Sequence, residues 1–196
     1  MARVKLRPIR IEDAEVCLRW VSNPEVARFL GLVNPVHTIE QERSWIANIL
    51  ADKQHQRGFI IQNERGVSIG TCGLRGIDYE RNTALLGIMI GDPRQWDRGY
   101  GTAATRALLK YGFEHFELRE IQLSCHPENE RAIRCYQKAG LRICPAEFGQ
   151  RTRGRKDVRM TISCDDWKRD GVAAEEPTGQ RIGKHADKEG SKIGGG

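Results

Sequence analysis

Between residues 87 and 102 the chain runs from a strand, through a loop, into a helix opened by glycines, and few folds accommodate that order. Gly87-Ile88-Met89-Ile90-Gly91 reads as a strand, Asp92 to Arg98 as a crossover containing Pro93, and Gly99-Tyr100-Gly101-Thr102 as the helix start. Glycine lets backbone approach a ligand closely, and the first-turn amides of a helix have no partner within it. With the helix dipole behind them, such amides suit a phosphate, and a side chain at Gly101 is expected to block its approach. The plainer alternative is a turn whose glycines serve only the bend. A P-loop is excluded, because no Gly-Lys-Ser/Thr closes the segment. Gly99 to Ala104 satisfies a G-x-G-x-x-A dinucleotide fingerprint, but that motif belongs in a tight turn directly after a strand, among parallel strands. Here about eight residues separate strand from glycines, and the preceding strands read as antiparallel.

The rest of the chain supports that reading. Val4 to Ile11 alternates as a first strand, with Pro8 marking an edge or bulge. Asp13 is placed to cap a helix carrying Val16, Leu18, Trp20 and Val21, which Asn23-Pro24 ends. Thr38 and Gln41 form a capping-box signature ahead of Trp45, Ile46, Ile49 and Leu50. Phe59 to Ile61, Val67 to Leu74 and Ala84 to Ile90 are strand-like runs separated by turn residues, the pattern of an antiparallel meander. After Arg98 the period becomes helical through Ala104, Leu108 and Tyr111. Ile121 to Cys125 is a strand, and Glu128 to Ala139 a helix that stops at Gly140. Leu141 to Phe148 and Val158 to Cys164 read as a last strand pair joined by a basic stretch, Gly149 to Lys156. Past Asp170 the chain is too polar and Gly-rich to offset its ordering entropy. The expectation is one mixed α/β domain over residues 1–168 and a disordered polar tail over 169–196.

Composition narrows the function. No apolar run approaches the roughly 20 residues of a membrane span, and the first residues carry no secretion signal, so a cytoplasmic protein with no membrane partner is expected. Six scattered cysteines form no C-x-x-C pair, and Cys125-His126 has no second ligand pair at zinc spacing, so no metal is expected. The net charge of +6 favours acidic partners, but it is spread along the chain and points weakly to nucleic acid. A basic ribosome- or RNA-associated protein using Arg151 to Arg159 remains an alternative resting on charge alone.

Two segments carry a resemblance. Trp96-Asp97-Arg98-Gly99-Tyr100-Gly101-Thr102, and the helix with Asn129, Ala132, Tyr136 and Gly140, resemble the two central motifs of the GNAT superfamily of N-acetyltransferases. The superfamily's loop pattern is Gln/Arg-x-x-Gly-x-Gly/Ala. Trp96 in place of the opening Gln/Arg resembles the subset of ribosomal-protein, spermidine and aminoglycoside acetyltransferases, and the likeness spans about residues 5–168. It implies a largely antiparallel central sheet, splayed in the middle and flanked by helices, that binds acetyl-CoA as co-substrate. By that resemblance the backbone at Arg98, Gly99, Tyr100, Gly101 and Thr102 holds the pyrophosphate, with Arg98 and Arg106 adding charge. Ile88, Met89 and Ile90 pair with the pantetheine arm, Asn129 hydrogen-bonds it, and Tyr136 returns a proton to the leaving thiolate. Read from spacing alone, Tyr136 is equally a core residue and Asn129 a helix cap.

The implied reaction is direct attack on the thioester by a primary amine: a protein N-terminus, a polyamine or another small amine. A lysine-like amine, with pKa near 10.4, is only about one part in a thousand neutral at pH 7, whereas an α-amino group near pKa 8 is far closer to neutral. A base or water relay therefore matters most for the first type. Related sequences often carry a Glu in the central strand where Leu85 stands here, leaving Asp78 and Glu80 as substitutes or as plain turn carboxylates. Cys125 and Cys135 lack an evident activating partner for a covalent route. A module that binds acetyl-CoA without turnover is the alternative, and the resemblance allows a homodimer.

Overall fold

A computed structural model describes residues 2–30, 37–145, 151–152 and 155–170. Seven strands form one sheet in the spatial order β1 (Val4–Pro8), β2 (Gln56–Asn63), β3 (Ser68–Asp78), β4 (Thr83–Ile90), β5 (Glu120–Cys125), β9 (Val158–Ser163) and β6 (Arg142–Ile143). The expected meander is present, since β1 to β4 pair antiparallel in sequence order. The basic stretch forms a separate small hairpin of β7 (Arg151–Thr152) and β8 (Arg155–Lys156). The expected strand after Leu141 is short, and its distal residues 146–148 lie outside the described residues.

β4 and β5 run parallel, and their pairing covers only Thr83 with Glu120, Ala84 with Ile121 and Leu85 with Gln122. Beyond Leu85 the two strands continue apart, while β3 stays paired with β4 as far as Ile90. The sheet therefore opens in its middle. Strand alternation sends Ala84, Leu86, Ile88 and Ile90 towards one face and Leu85, Gly87 and Met89 towards the other.

The two faces have separate cores. On the first, α4 (Tyr100–His115) buries Ala104, Ala107, Leu108 and Tyr111 against the sheet, joined by Tyr136 of α5 (Glu130–Lys138) and Trp167 of α6 (Cys164–Arg169). On the second, α1 (Ala14–Val21) and α3 (Ile39–Ala51) pack Cys17, Trp20 and Ile46 on Ile9 and Ile60. The capping box of α3 is realised, with Gln41 N–H donating to Thr38 and Thr38 N–H donating to Gln41. Asp13 does not cap α1 as expected. Its carboxylate accepts two bonds from the Arg7 guanidinium, at 2.7 and 3.0 Å, and one from Arg10 N–H, so it ties β1 to the turn before the helix.

α2 (Pro24–Ala27) starts at Asn23 as the Asn-Pro pair predicts, and its end reaches towards the β5–α5 connection. Phe29 meets the His126 ring edge-on at 5.6 Å, and Arg28 lies 3.6 Å from Glu128.

Candidate active site

The opening between β4 and β5 is one wall of a cavity of about 710 Å³. It runs from the 96–102 loop and Asn129, past Ile88, Met89 and Ile90, to His37, Glu42 and Trp45 beneath α3. The stretch Ile88 to Ile90, Trp96, Gly99 to Thr102, Asn129 and Tyr136 line this cleft as predicted, whereas Arg98 is exposed, and Arg98, Arg106, Asp78 and Glu80 are not among its lining residues.

Loop geometry explains the glycines. Gly99 sits at φ +84°, where a Cβ crowds the backbone, and Asp97 beside it is also left-handed at φ +58°. This bend brings the chain into α4 with the N–H groups of Tyr100, Gly101 and Thr102 in the first turn, where no carbonyl of the helix reaches them. Gly101 has a packing reason beside the one the sequence suggests. A Cβ there would lie 3.0 Å from Cys135 Sγ, so this glycine lets α4 approach α5.

Neighbouring side chains are mostly committed to structure. The Trp96 indole N–H donates to the Ile90 carbonyl at 2.8 Å, and the Arg131 guanidinium lies over the ring at 3.6 Å. Tyr100 turns away and donates its hydroxyl to Glu64. Arg106, expected to add charge near phosphate, donates to the Lys138 carbonyl at the end of α5. Asn129 is the N-cap of α5, accepting from Ala132 N–H at 3.1 Å, which leaves its amide NH₂ group outside that bond.

Tyr136 is 8% exposed, and burial, with the Cys125 and Cys135 thiols beside it, pushes its phenol well above the ordinary value. It holds its proton throughout the neutral range. Burial also pushes the Cys125 thiol up to about 12 and raises Cys135, which removes both as ready nucleophiles.

The face of β4 opposite α4 carries other groups than the sequence offers. Leu85 is 38% exposed on the face opposite α4, in register with Arg75 and Gln122. Next along that face is Gly87, beside Gly73, and a Cβ on Gly87 would meet nothing within 4 Å. Asp78 accepts from the N–H groups of Glu80 and Arg81 and from the Arg81 guanidinium, which hold its carboxyl below the usual range. It is a turn carboxylate. His37 and Glu42, which the sequence reading passed over, form a hydrogen-bonded pair at 3.1 Å on the cleft wall. A signal for them existed: Glu42 interrupts the apolar stripe of α3 four residues before Ile46.

The chain matches the acetyltransferase (GNAT) domain family over residues 3–142. The uncharacterised N-acetyltransferase p20 of Bacillus licheniformis is 33% identical over 147 residues, which are 71% of this chain and 82% of that protein. The spermidine N(1)-acetyltransferase of Escherichia coli K12 is 28% identical over 162 residues, covering 81% of this chain and 85% of its own. A solved aminoglycoside acetyltransferase, AAC(6')-Ib with ribostamycin and coenzyme A, has the same fold, with TM-score 0.75 at 22% identity over 85% of this chain and 97% of that one.

The protein thus belongs to the GNAT family of acetyltransferases. Within it, this chain is an N-acetyltransferase that takes acetyl-CoA as its acyl donor. The site fits that donor: the first-turn amides of α4 have no partner within the helix, and among the described residues no strand pairs with the β5 side of β4 from Leu86 to Met89. Among the described residues, no helix is long and apolar enough to cross a membrane and no His/Cys/Asp/Glu cluster could hold a metal ion.

Proposed function

We propose that the chain transfers the acetyl group directly to a primary amine: a protein N-terminus, a polyamine or another small amine. One observation carries the reading. The open edge of β4, the free amides of α4 and the protonated Tyr136 share a single cleft with an open acceptor face at Gly87. The spermidine and aminoglycoside acetyltransferases among its relatives support an amine acceptor.

When bound, acetyl-CoA supplies the acetyl group as a thioester. The amides of Gly99 to Thr102 hold its pyrophosphate, with Arg98 adding charge from the exposed side and Trp96 closing the end of β4. Ile88 and Met89 present backbone to the amide-bearing arm. Ile90 bounds that stretch, because its carbonyl is already taken by Trp96. Asn129 donates from its amide NH₂ while its oxygen caps α5. Tyr136 protonates the departing sulfur. The six free thiols support a reducing, cytoplasmic setting.

The test is acetyl-CoA consumption with spermidine, peptides with free N-termini, and kanamycin as acceptors. Intersecting initial-velocity lines are expected for direct transfer, and parallel lines would replace it with a covalent route. A second reading, binding without turnover, draws on Leu85 standing where related sequences often have Glu. Tight acetyl-CoA binding with no consumption across the panel would establish it.

A further inference from the structure

Glu42 occupies a core-facing position of α3, where the helix pattern calls for an apolar side chain. Its side chain is 7% exposed, and its partner is His37, 18% exposed, with Nδ1 at 3.1 Å from Oε1. A buried charge is costly unless paired, and burial pushes the Glu42 carboxyl up while the His37 charge and hydrogen bond pull it down. Both residues line the cleft that also holds Gly87, Met89 and Tyr136.

The pairing has a chemical consequence. When Nδ1–H donates to a carboxylate, the tautomer is set and Nε2 carries the lone pair. The carboxylate then stabilises the imidazolium that forms when Nε2 takes a proton. Other groups are less suited: the cleft imidazole of His126 accepts the Glu128 N–H at Nδ1, which leaves its hydrogen on Nε2, and burial raises the cleft thiols of Cys125 and Cys135. Leu85 has no titratable atom, and Asp78 is held in its turn.

We propose that His37, oriented by Glu42, is the base that deprotonates the acceptor amine, with Glu42 as a positioning residue. The inference rests on the direct-transfer reading above. The ammonium form of the acceptor gives one proton to Nε2. The amine lone pair then forms the N–C bond while the C–S bond breaks and its electron pair leaves on sulfur. Sulfur takes the Tyr136 proton, the second proton shed by nitrogen restores the phenol, and His37 releases its proton to solvent. One acetyl-CoA therefore yields one free thiol, one amide and one proton.

Several groups surround the pair. Cys17 of α1 feels the Glu42 charge: burial, then the Glu42 and Asp13 charges, push its thiol up to about 12. Asp13 is engaged by Arg7 at 2.7 Å, and Glu25 of α2 stands on the same cleft wall. The Cys17 thiol therefore stays protonated through the assay range.

The experiment is a kcat/KM profile from pH 5.5 to 9.5 with the panel amine that the wild-type chain acetylates best (a range set by ordinary imidazole and amine titration, about 6.5 to 10). Alongside it run calorimetric titration with CoA and thermal unfolding. H37Q keeps an N–H for Glu42 but takes no proton, so a loss of about 10²-fold at pH 7 is expected, without the acid limb. CoA affinity should stay within about twofold, since the pair is on the acceptor side. E42Q should move the acid limb to lower pH, because an imidazolium without its carboxylate gives up its proton more easily.

E42Q should also raise Tm at pH 7. The sign follows from linkage: a carboxyl with a raised folded pKa favours the fold below its unfolded value, and that contribution is lost as pH rises through the folded value. A mere tether between α3 and the preceding segment predicts the opposite, a lower Tm and an unchanged profile. In the folded wild type, the His37 imidazole resonance should titrate at the midpoint of the acid limb. A wild-type profile in H37Q, a loss matched by the unfolded fraction, or a mismatched His37 midpoint overturns this inference alone. Absence of turnover in the wild type with every amine overturns direct transfer and this inference together.

Discussion

The two walls of the cleft are built by different means. The wall proposed for the donor is mainly backbone: the edge of β4 that no described strand pairs beyond Leu85, the left-handed bend at Asp97 and Gly99, and the first turn of α4. The wall proposed for the acceptor is assembled from distant segments, with Gly87 of β4, the side chain of Arg75 on β3, and those of His37, Glu42 and Trp45 around the start of α3. Backbone recognition needs contiguous residues with special dihedrals, and it leaves a short motif in the sequence. Side-chain recognition needs only that the fold bring residues together, so it leaves scattered single positions.

That difference can be broken by substitution, and the largest effect is expected where the walls meet. Tyr136→Phe removes the phenol proton while keeping the buried ring, and kcat should fall by about 10²-fold or more with CoA affinity nearly unchanged. Equal losses in steady-state kcat and in calorimetric affinity would assign Tyr136 to packing. On the donor wall, Gly99→Val forces a β-branched residue into φ +84°, which costs about 1–3 kcal/mol, or roughly 5- to 150-fold in CoA affinity if the loop yields. Acceptor KM measured at saturating acetyl-CoA should barely change in that variant.

On the acceptor wall, Gly87→Leu places a side chain in open space on the face away from α4. Acceptor KM should rise about tenfold, while CoA binding by calorimetry stays within about twofold. A comparable loss of CoA affinity would mean that the two walls are not separable at β4. The smallest effect is expected from Leu85→Glu, which returns a carboxylate to the position where related sequences often carry one. About a two- to fivefold gain in kcat/KM near neutral pH is expected for amines of high pKa, and less for peptide N-termini. A loss with both would show that the apolar surface at Leu85 is itself used by the acceptor.

The legibility of the fold followed the same division. The meander from Phe59 to Ile90, the helix after Gly99 and the strand at Ile121 were readable, because each buries one face and so shows a period of two or 3.6. Asp13 misled, since a capping residue type cannot declare that Arg7 will claim its carboxylate from a neighbouring strand. Gly101 has a second role, in packing, that the sequence does not show, because its neighbour Cys135 lies far along the chain on α5. Arg106 donates to the Lys138 carbonyl of α5, a partner that its place in the sequence does not reveal.

By itself, then, the sequence determined the strand–loop–helix at residues 87–102, because glycine dihedrals, first-turn amides and hydrophobic period are local properties. Only the tertiary structure decided where β4 and β5 part, which loop residues serve packing, and that a buried His37–Glu42 pair stands on the far wall. Those outcomes depend on burial and on distances between segments far apart in the chain, and neither quantity is carried by any single stretch of residues.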